Sequence, residues 1–183
     1  DRAGYLWFGT FYGIARYDGY SIVSYTHQEG DTTSITNSIV NAICDDREGN
    51  IWFGHSLGLD KFNPSTEKFT HYILNSERPR IDWSQHVLSL LEDKDGTLWV
   101  GTSHGLYFFN KKTETFTWIK HDSTGPHSIS SDVINAIYED RSGTLWFATS
   151  MGLNRLDKAS NRFFHYSYPS EKWEDHYWLL SIL

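Results

Sequence analysis

The chain has 183 residues, a formal net charge of −7, and hydrophobic and aromatic fractions of 39% and 16%. That acidic balance excludes a nucleic-acid surface, which needs clustered Lys and Arg to displace counterions; the nearest basic cluster is Arg78-Pro79-Arg80. No apolar run is long enough to cross a bilayer as a helix, and Cys44 is the only cysteine, so neither an internal disulfide nor a cysteine metal cluster is expected.

One phrase recurs along the chain. It reads GYLWFGT at 4–10, GNIWFGH at 49–55, GTLWVGT at 96–102 and GTLWFAT at 143–149. Trp7, Trp52, Trp99 and Trp146 are spaced 45, 47 and 47 residues apart, and each is followed six residues later by Gly13, Gly58, Gly105 or Gly152. Self-similarity at a fixed period of this length marks a repeat architecture. Val, Ile, Thr, Tyr, Phe and Trp fill the short apolar runs, and no stretch keeps a 3.6-residue period, so the repeats are read as strands.

In chain order, residues 1–25 supply three strands of a unit, lettered B, C and D, with no strand A before them. The next unit spans 38–72: strand A at 38–44, a tight turn at 45–50 with Gly49 suited to a positive φ, then strands at 51–54, 59–62 and 69–72. Phe69 and Tyr72 have opposite parity, so one is expected to face a neighbouring repeat and the other solvent. The units at 85–119 and 132–166 repeat the pattern, with strand A at 87–93 and 133–140, C at 105–110 and 152–157, and D at 116–119 and 163–166. Residues 177–183, containing WLLSIL, align with strand A of a further unit. Four short antiparallel strands per unit with one Trp and paired glycines predict an all-β chain of about four β-propeller blades. Asp1 already lies inside a repeat, which points to a processed or trimmed N-terminus. The ends fall within one residue of the same place in the repeat. Either the last strand closes a small ring with residues 5–25, or the chain is a segment of a larger propeller completed by further blades or by another copy.

The pattern Asp-x-x-Gly-x-Leu-Trp-Phe-Gly-Thr, then Gly-Leu, then Phe/Tyr-Asp/Asn resembles the two-component regulator propeller repeat. It is carried by Asp93–Thr102 with Gly105-Leu106 and Phe109-Asn110, and by equivalents beginning at Asp1, Asp46 and Asp140. The departures are Ala148 for the usual glycine, His55 for the usual threonine and a divergent lead-in before Val87. The resemblance implies a seven-bladed propeller. It also implies the periplasmic, extracytoplasmic sensor part of an inner-membrane bacterial receptor, often responding to polysaccharides, with a kinase region downstream.

The repeated tryptophans are read as packing groups between sheets, and the acidic turns at 45–49 and 92–96 as hairpin turns rather than calcium loops, which need more oxygens. No histidine pair has zinc-site spacing, and no Ser-His-Asp set, nucleophile elbow or Gly-rich phosphate loop is visible, so no metal, cofactor or catalytic residue is expected. The better candidates share one end. In a four-stranded meander the B-to-C and D-to-A connections emerge together. That end gathers Phe11, Tyr12, His55, Ser56, Ser103, His104, Ser150 and Met151, with Trp83, His86, Trp173 and His176 on the long connections. Aromatics interleaved with small polar groups suit an oligosaccharide or a protein partner. The expected function is a non-enzymatic sensor module; a propeller lyase or hydrolase and a scaffold for oligomers are the alternatives.

Overall fold

The computed structural model describes residues 1–74 and 86–166. Among them every regular element is a strand. Blade 1 holds β1 (Leu6–Thr10), β2 (Gly13–Tyr17) and β3 (Ile22–Tyr25). Blade 2 holds β4 (Val40–Asp45), β5 (Ile51–His55), β6 (Gly58–Asn63) and β7 (Lys68–Tyr72). Blade 3 holds β8 (Val87–Glu92), β9 (Leu98–Thr102), β10 (Gly105–Asn110) and β11 (Thr115–Ile119). Blade 4 holds β12 (Ile134–Glu139), β13 (Leu145–Thr149), β14 (Gly152–Asp157) and β15 (Arg162–Tyr166). Each sheet is an antiparallel meander in sequence order, three-stranded in blade 1 and four-stranded in the others. The fold is an array of β-propeller blades. The segment 177–183 lies outside the described residues.

The first strand of each complete blade carries the same irregularity, between Val40 and Ala42, Val87 and Ser89, and Ile134 and Ala136. These first strands lie beside one another from blade to blade. The glycine of the recurring phrase makes that approach feasible. A Cβ on Gly54 would stand 2.3 Å from Val87 Cγ1, and one on Gly101 would stand 2.9 Å from the Ile134 carbonyl oxygen.

Apolar burial lies between blades. Trp7 packs against Phe53 and Phe62 of blade 2, Trp52 against Phe109 of blade 3, and Trp99 against Phe147 of blade 4, with ring centroids 5.4–5.6 Å apart. These three tryptophans are therefore packing groups between sheets. Phe69 and Tyr72 depart from the expectation that one faces solvent. Phe69 packs on Tyr25 of blade 1, and Tyr72 on Phe109 and Phe116 of blade 3. A blade inside the array is covered on both faces, so both parities of an outer strand carry apolar side chains.

Candidate functional site

The two ends of the blades are built differently. At the end bearing the first turns, an aspartate six residues before each tryptophan holds it. Trp7, Trp52, Trp99 and Trp146 donate their indole N–H to Asp1, Asp46, Asp93 and Asp140 at 2.6–2.9 Å. The other carboxylate oxygen caps the turn. Oδ1 of Asp46 accepts from the backbone N–H of Glu48 and Asn50, and Asp93 and Asp140 do the same for their own turns. Burial raises the pKa of Asp46 and Asp93, but the indole and lysine hydrogen bonds outweigh it and hold both below the usual carboxylate range. These carboxylates are used up by the fold. Among the described residues no group of three or more His, Cys, Asp or Glu is arranged to hold a metal ion. Burial pushes the Cys44 thiol up to about 11, so it is an unreactive packing group.

The other end carries the second turns and the long connections. Here a threonine hydroxyl organises each turn. Thr10, Thr102 and Thr149 donate to the carbonyls of Gly13, Gly105 and Gly152 and accept from the N–H of Tyr12, His104 and Met151. With the flanks fixed, the central side chains point outward. Phe11, Tyr12 and Met151 are 78%, 86% and 60% exposed. His104 is exposed, with Ser103 Oγ 2.9 Å from its Nδ1, and Ser56, Ser103, Ser150 and His86 are half-buried. The backbone of His86 accepts from Ser103 N–H, and Ser150 Oγ meets Ser131 Oγ of the connection. Trp83, Trp173 and His176 lie outside the described residues.

His55 is a correction. It stands where the other blades have threonine, but it is buried and offers nothing to the surface. Its Nδ1 takes the threonine's place as acceptor, from Leu57 N–H at 3.2 Å. Its Nε2 turns inward, 3.3 Å from Oδ2 of the buried Asp60.

Asp60 is one of a set of positions at which the blades differ, and sequence reasoning missed them. In blade 2, Asp60 on β6 faces His71 on β7. In blade 4 the pair is Asn154 and His165, and in blade 3 it is Tyr107 and Trp118. Tyr107 and Trp118 stack at an interplanar angle of 4° and 5.8 Å, with the Trp118 indole donating to the His104 carbonyl. Trp118 remains 41% exposed, and Lys120 Nζ sits 4.9 Å from its ring centre. The signal was an unusual residue at the centre of each third strand, partnered eleven residues later. Two shallow pockets flank the connections, of about 230 Å³ beside residues 27–36 and His71, and about 340 Å³ beside residues 119–129 and Phe163.

Such an array, with a uniform frame and one variable end, defines the chain as a propeller-blade module. The family model described as "Two component regulator propeller" matches three segments of this chain, residues 34–56, 83–104 and 128–151. Solved structures share the fold. The extracellular domain of a hybrid two component system from B. thetaiotaomicron superposes with a TM-score of 0.72 over 88% of this chain at 21% identity. Virginiamycin B lyase from Staphylococcus aureus gives 0.68 over 92% at 17% identity, and the gluconolactonase XC5397 from Xanthomonas campestris gives 0.61 over 90% at 16%. The chain spans 22%, 54% and 59% of those three chains. At such identities the likeness is one of fold. None of the curated proteins matches.

Proposed function

We propose that this chain is a ligand-sensing part of the extracytoplasmic region of a bacterial two-component receptor, and that its ligand is a carbohydrate. The observation that carries the reading is the match of three of its repeats to the two component regulator propeller model. The extracellular domain named above, of which this chain spans 22%, supports an extracytoplasmic location; further blades and a downstream kinase region are the partners that the resemblance leads us to propose. The same partial span favours a segment of a larger propeller over a small closed ring. The variable end supplies the surface. Trp118, stacked on the buried Tyr107, offers a flat aromatic face beside His104 and Ser103, and Phe11 and Tyr12 offer exposed aromatic faces at the same end of blade 1. Such faces suit the apolar C–H side of a sugar ring, with polar neighbours for its hydroxyls. The lyase and the gluconolactonase support an enzymatic reading through fold alone. The His55–Asp60 pair, which has the residue types of a catalytic dyad, is sealed at 1% and 0% exposure, out of a substrate's reach.

Calorimetric titration of the chain with a panel of oligosaccharides tests this. A member that binds should lose about tenfold in affinity, ~1.4 kcal/mol, in Trp118→Ala or in the Phe11→Ala/Tyr12→Ala double variant. A panel that gives no binding to the chain, nor to an ectodomain containing it, rejects the carbohydrate. Binding that ignores both variants rejects this surface.

A further inference from the structure

The connection at residues 26–39 is fastened to blade 2 by one polar cluster. Thr36 presents its N–H to Asp60 Oδ2 at 2.7 Å and its hydroxyl to Oδ1 at 2.9 Å. His71 lies between the same carboxylate and the connection: its Nδ1 is 2.8 Å from Asp60 Oδ1 and 2.8 Å from Thr36 Oγ1, and its Nε2 is 2.8 Å from the Thr32 carbonyl oxygen. Beside these bonds Ile35 is fully buried, and Phe69 N–H donates to the Thr33 carbonyl.

The two ring nitrogens of His71 therefore face a carboxylate oxygen and a carbonyl oxygen, both of which only accept, and the Thr36 hydroxyl beside Nδ1 gives its one proton to Asp60 Oδ1. A neutral imidazole carries one N–H, so one of these acceptors would meet a lone pair. An imidazolium satisfies both. Asp60, fully buried, gains a counter-charge at the same time.

We infer that His71 is a proton-operated clasp: as an imidazolium it ties the 26–39 connection to blade 2 through Asp60 and Thr32, and loss of its proton loosens that connection.

Among the described residues the titratable and charged groups around it are few. From its own blade they are Asp60 and, behind it, His55; from the connection they are His27 and Asp31, which line the same pocket, with Lys68 acting on Asp31. His27 is engaged elsewhere, its Nδ1 2.9 Å from the Ile35 carbonyl oxygen. Partial burial lowers the His71 pKa, and the hydrogen bond and charge of Asp60 outweigh it, so the net displacement is upward. A group raised on folding contributes fully below the ordinary histidine range and loses its contribution as pH rises through the raised value. The ring is about a third exposed at its side chain, so protons reach it without unfolding.

Blade 4 supplies an internal control. It holds the corresponding connection through the equivalent Ser130 anchor but with a neutral centre, and its histidine meets a different carbonyl. Ser130 N–H donates to Asn154 Oδ1 at 3.0 Å, Asn154 Nδ2 donates to Ser130 Oγ at 2.7 Å, and His165 Nε2 meets the Ser128 carbonyl. An amide replaces the carboxylate, so among the described residues no ion pair depends on His165.

The test is amide hydrogen exchange with ¹⁵N detection of the histidine rings, on the full chain, between about pH 5.5 and pH 8.5, the span in which histidine titrates. At the acid end His71 should carry protons on both ring nitrogens. Protection of the Thr36 N–H, corrected for intrinsic exchange, should fall as His71 loses its proton, while Ser130 N–H should not follow. Asp60→Asn, which copies blade 4, should keep the connection protected and abolish the pH dependence; His71→Gln should abolish it as well. A singly protonated His71 at the acid end overturns the inference, as does Thr36 protection that is flat with pH in the unmodified chain or unaltered in its pH profile by Asp60→Asn. These readings need no ligand, and they stand whether or not the chain binds a carbohydrate.

Discussion

Lys111 of blade 3 places its ammonium 3.0 Å from Oδ2 of Asp46 in blade 2. The same nitrogen lies 2.6 Å from Glu92 Oε1 of its own blade, and both carboxylate side chains are almost fully buried. One cation thus neutralises two buried carboxylates across a blade interface. Lys158 repeats the link one blade on, with Asp93 at 2.9 Å and Asp95 at 2.6 Å. Buried charges that lose a partner are strongly destabilising, whereas exposed pairs are worth little. Lys111→Met should therefore lower stability by about 1–3 kcal/mol, with part of the buried-pair penalty removed for its residual exposure. Lys158→Met should cost less, because Lys158 is 35% exposed and Asp95 lies in solvent. Urea unfolding of the two variants gives the order directly; equal losses would contradict it.

The bond from Trp52 to Asp46 should also be separable from the packing of the ring. Trp52→Phe keeps an aromatic between blades 2 and 3 but removes the 2.8 Å hydrogen bond to a carboxylate that is 1% exposed. Hydrogen bonds to charged groups contribute about 1.5–3 kcal/mol, and the smaller ring adds lost area. The expected outcome is a loss of at least ~2 kcal/mol in denaturant unfolding, with folding retained. A near-neutral Trp52→Phe would mean that the carboxylate is held by its turn and Lys111 alone.

Asp46 and Asp93 make stability depend on acid. Burial alone would raise both, yet the indole, lysine and turn hydrogen bonds bring them below the ordinary carboxylate range. A group depressed on folding contributes fully above its unfolded pKa of about 3.9 and loses the contribution as pH falls through the folded value. The chain should hold its stability down to about pH 4 and then lose it over the next units of acid. Lys111→Met and Trp52→Phe should each move the acid midpoint upward. An unchanged midpoint in both would show that other groups set acid unfolding.

Much of this was legible because a repeat averages out local ambiguity. Four tryptophans at one spacing place the blades, and the observed strands differ from the predicted ones by a residue or two at their ends, as in 38–44 against Val40–Asp45. The aspartates were visible too, but read as turn residues; that their second oxygen reaches an indole six residues on follows only once the hairpin pairs Cys44 with Trp52. The Asp60–His71 and Tyr107–Trp118 pairs were hidden for a similar reason. They join adjacent strands across a hairpin whose register depends on the turn between them. His55 misled because its place in the repeat is a surface turn. Its longer side chain lets one ring nitrogen serve the turn while the other reaches the interior.

The glycine of the recurring phrase gives the sharpest contrast between blades. A Cβ at Gly101 would stand 2.2 Å from Ser89 Oγ, 2.9 Å from Ile134 Cγ2 and 2.9 Å from the Ile134 carbonyl oxygen. Ser89 could turn away, but the backbone oxygen belongs to the first strand of blade 4 and moves only if the two blades separate. Overpacking of this kind costs about 1–3 kcal/mol. Gly101→Ala should fall in that range and weaken the contact between blades 3 and 4, seen as faster exchange in β12 and β13. Blade 4 already carries the larger residue at the equivalent place, since Ala148 is fully buried and accommodated. Ala148→Gly should therefore destabilise rather than relieve strain, by roughly 1 kcal/mol, through the lost methyl and the freer backbone of the unfolded chain. A stabilising Ala148→Gly would show that blade 4 is strained where blades 2 and 3 are not.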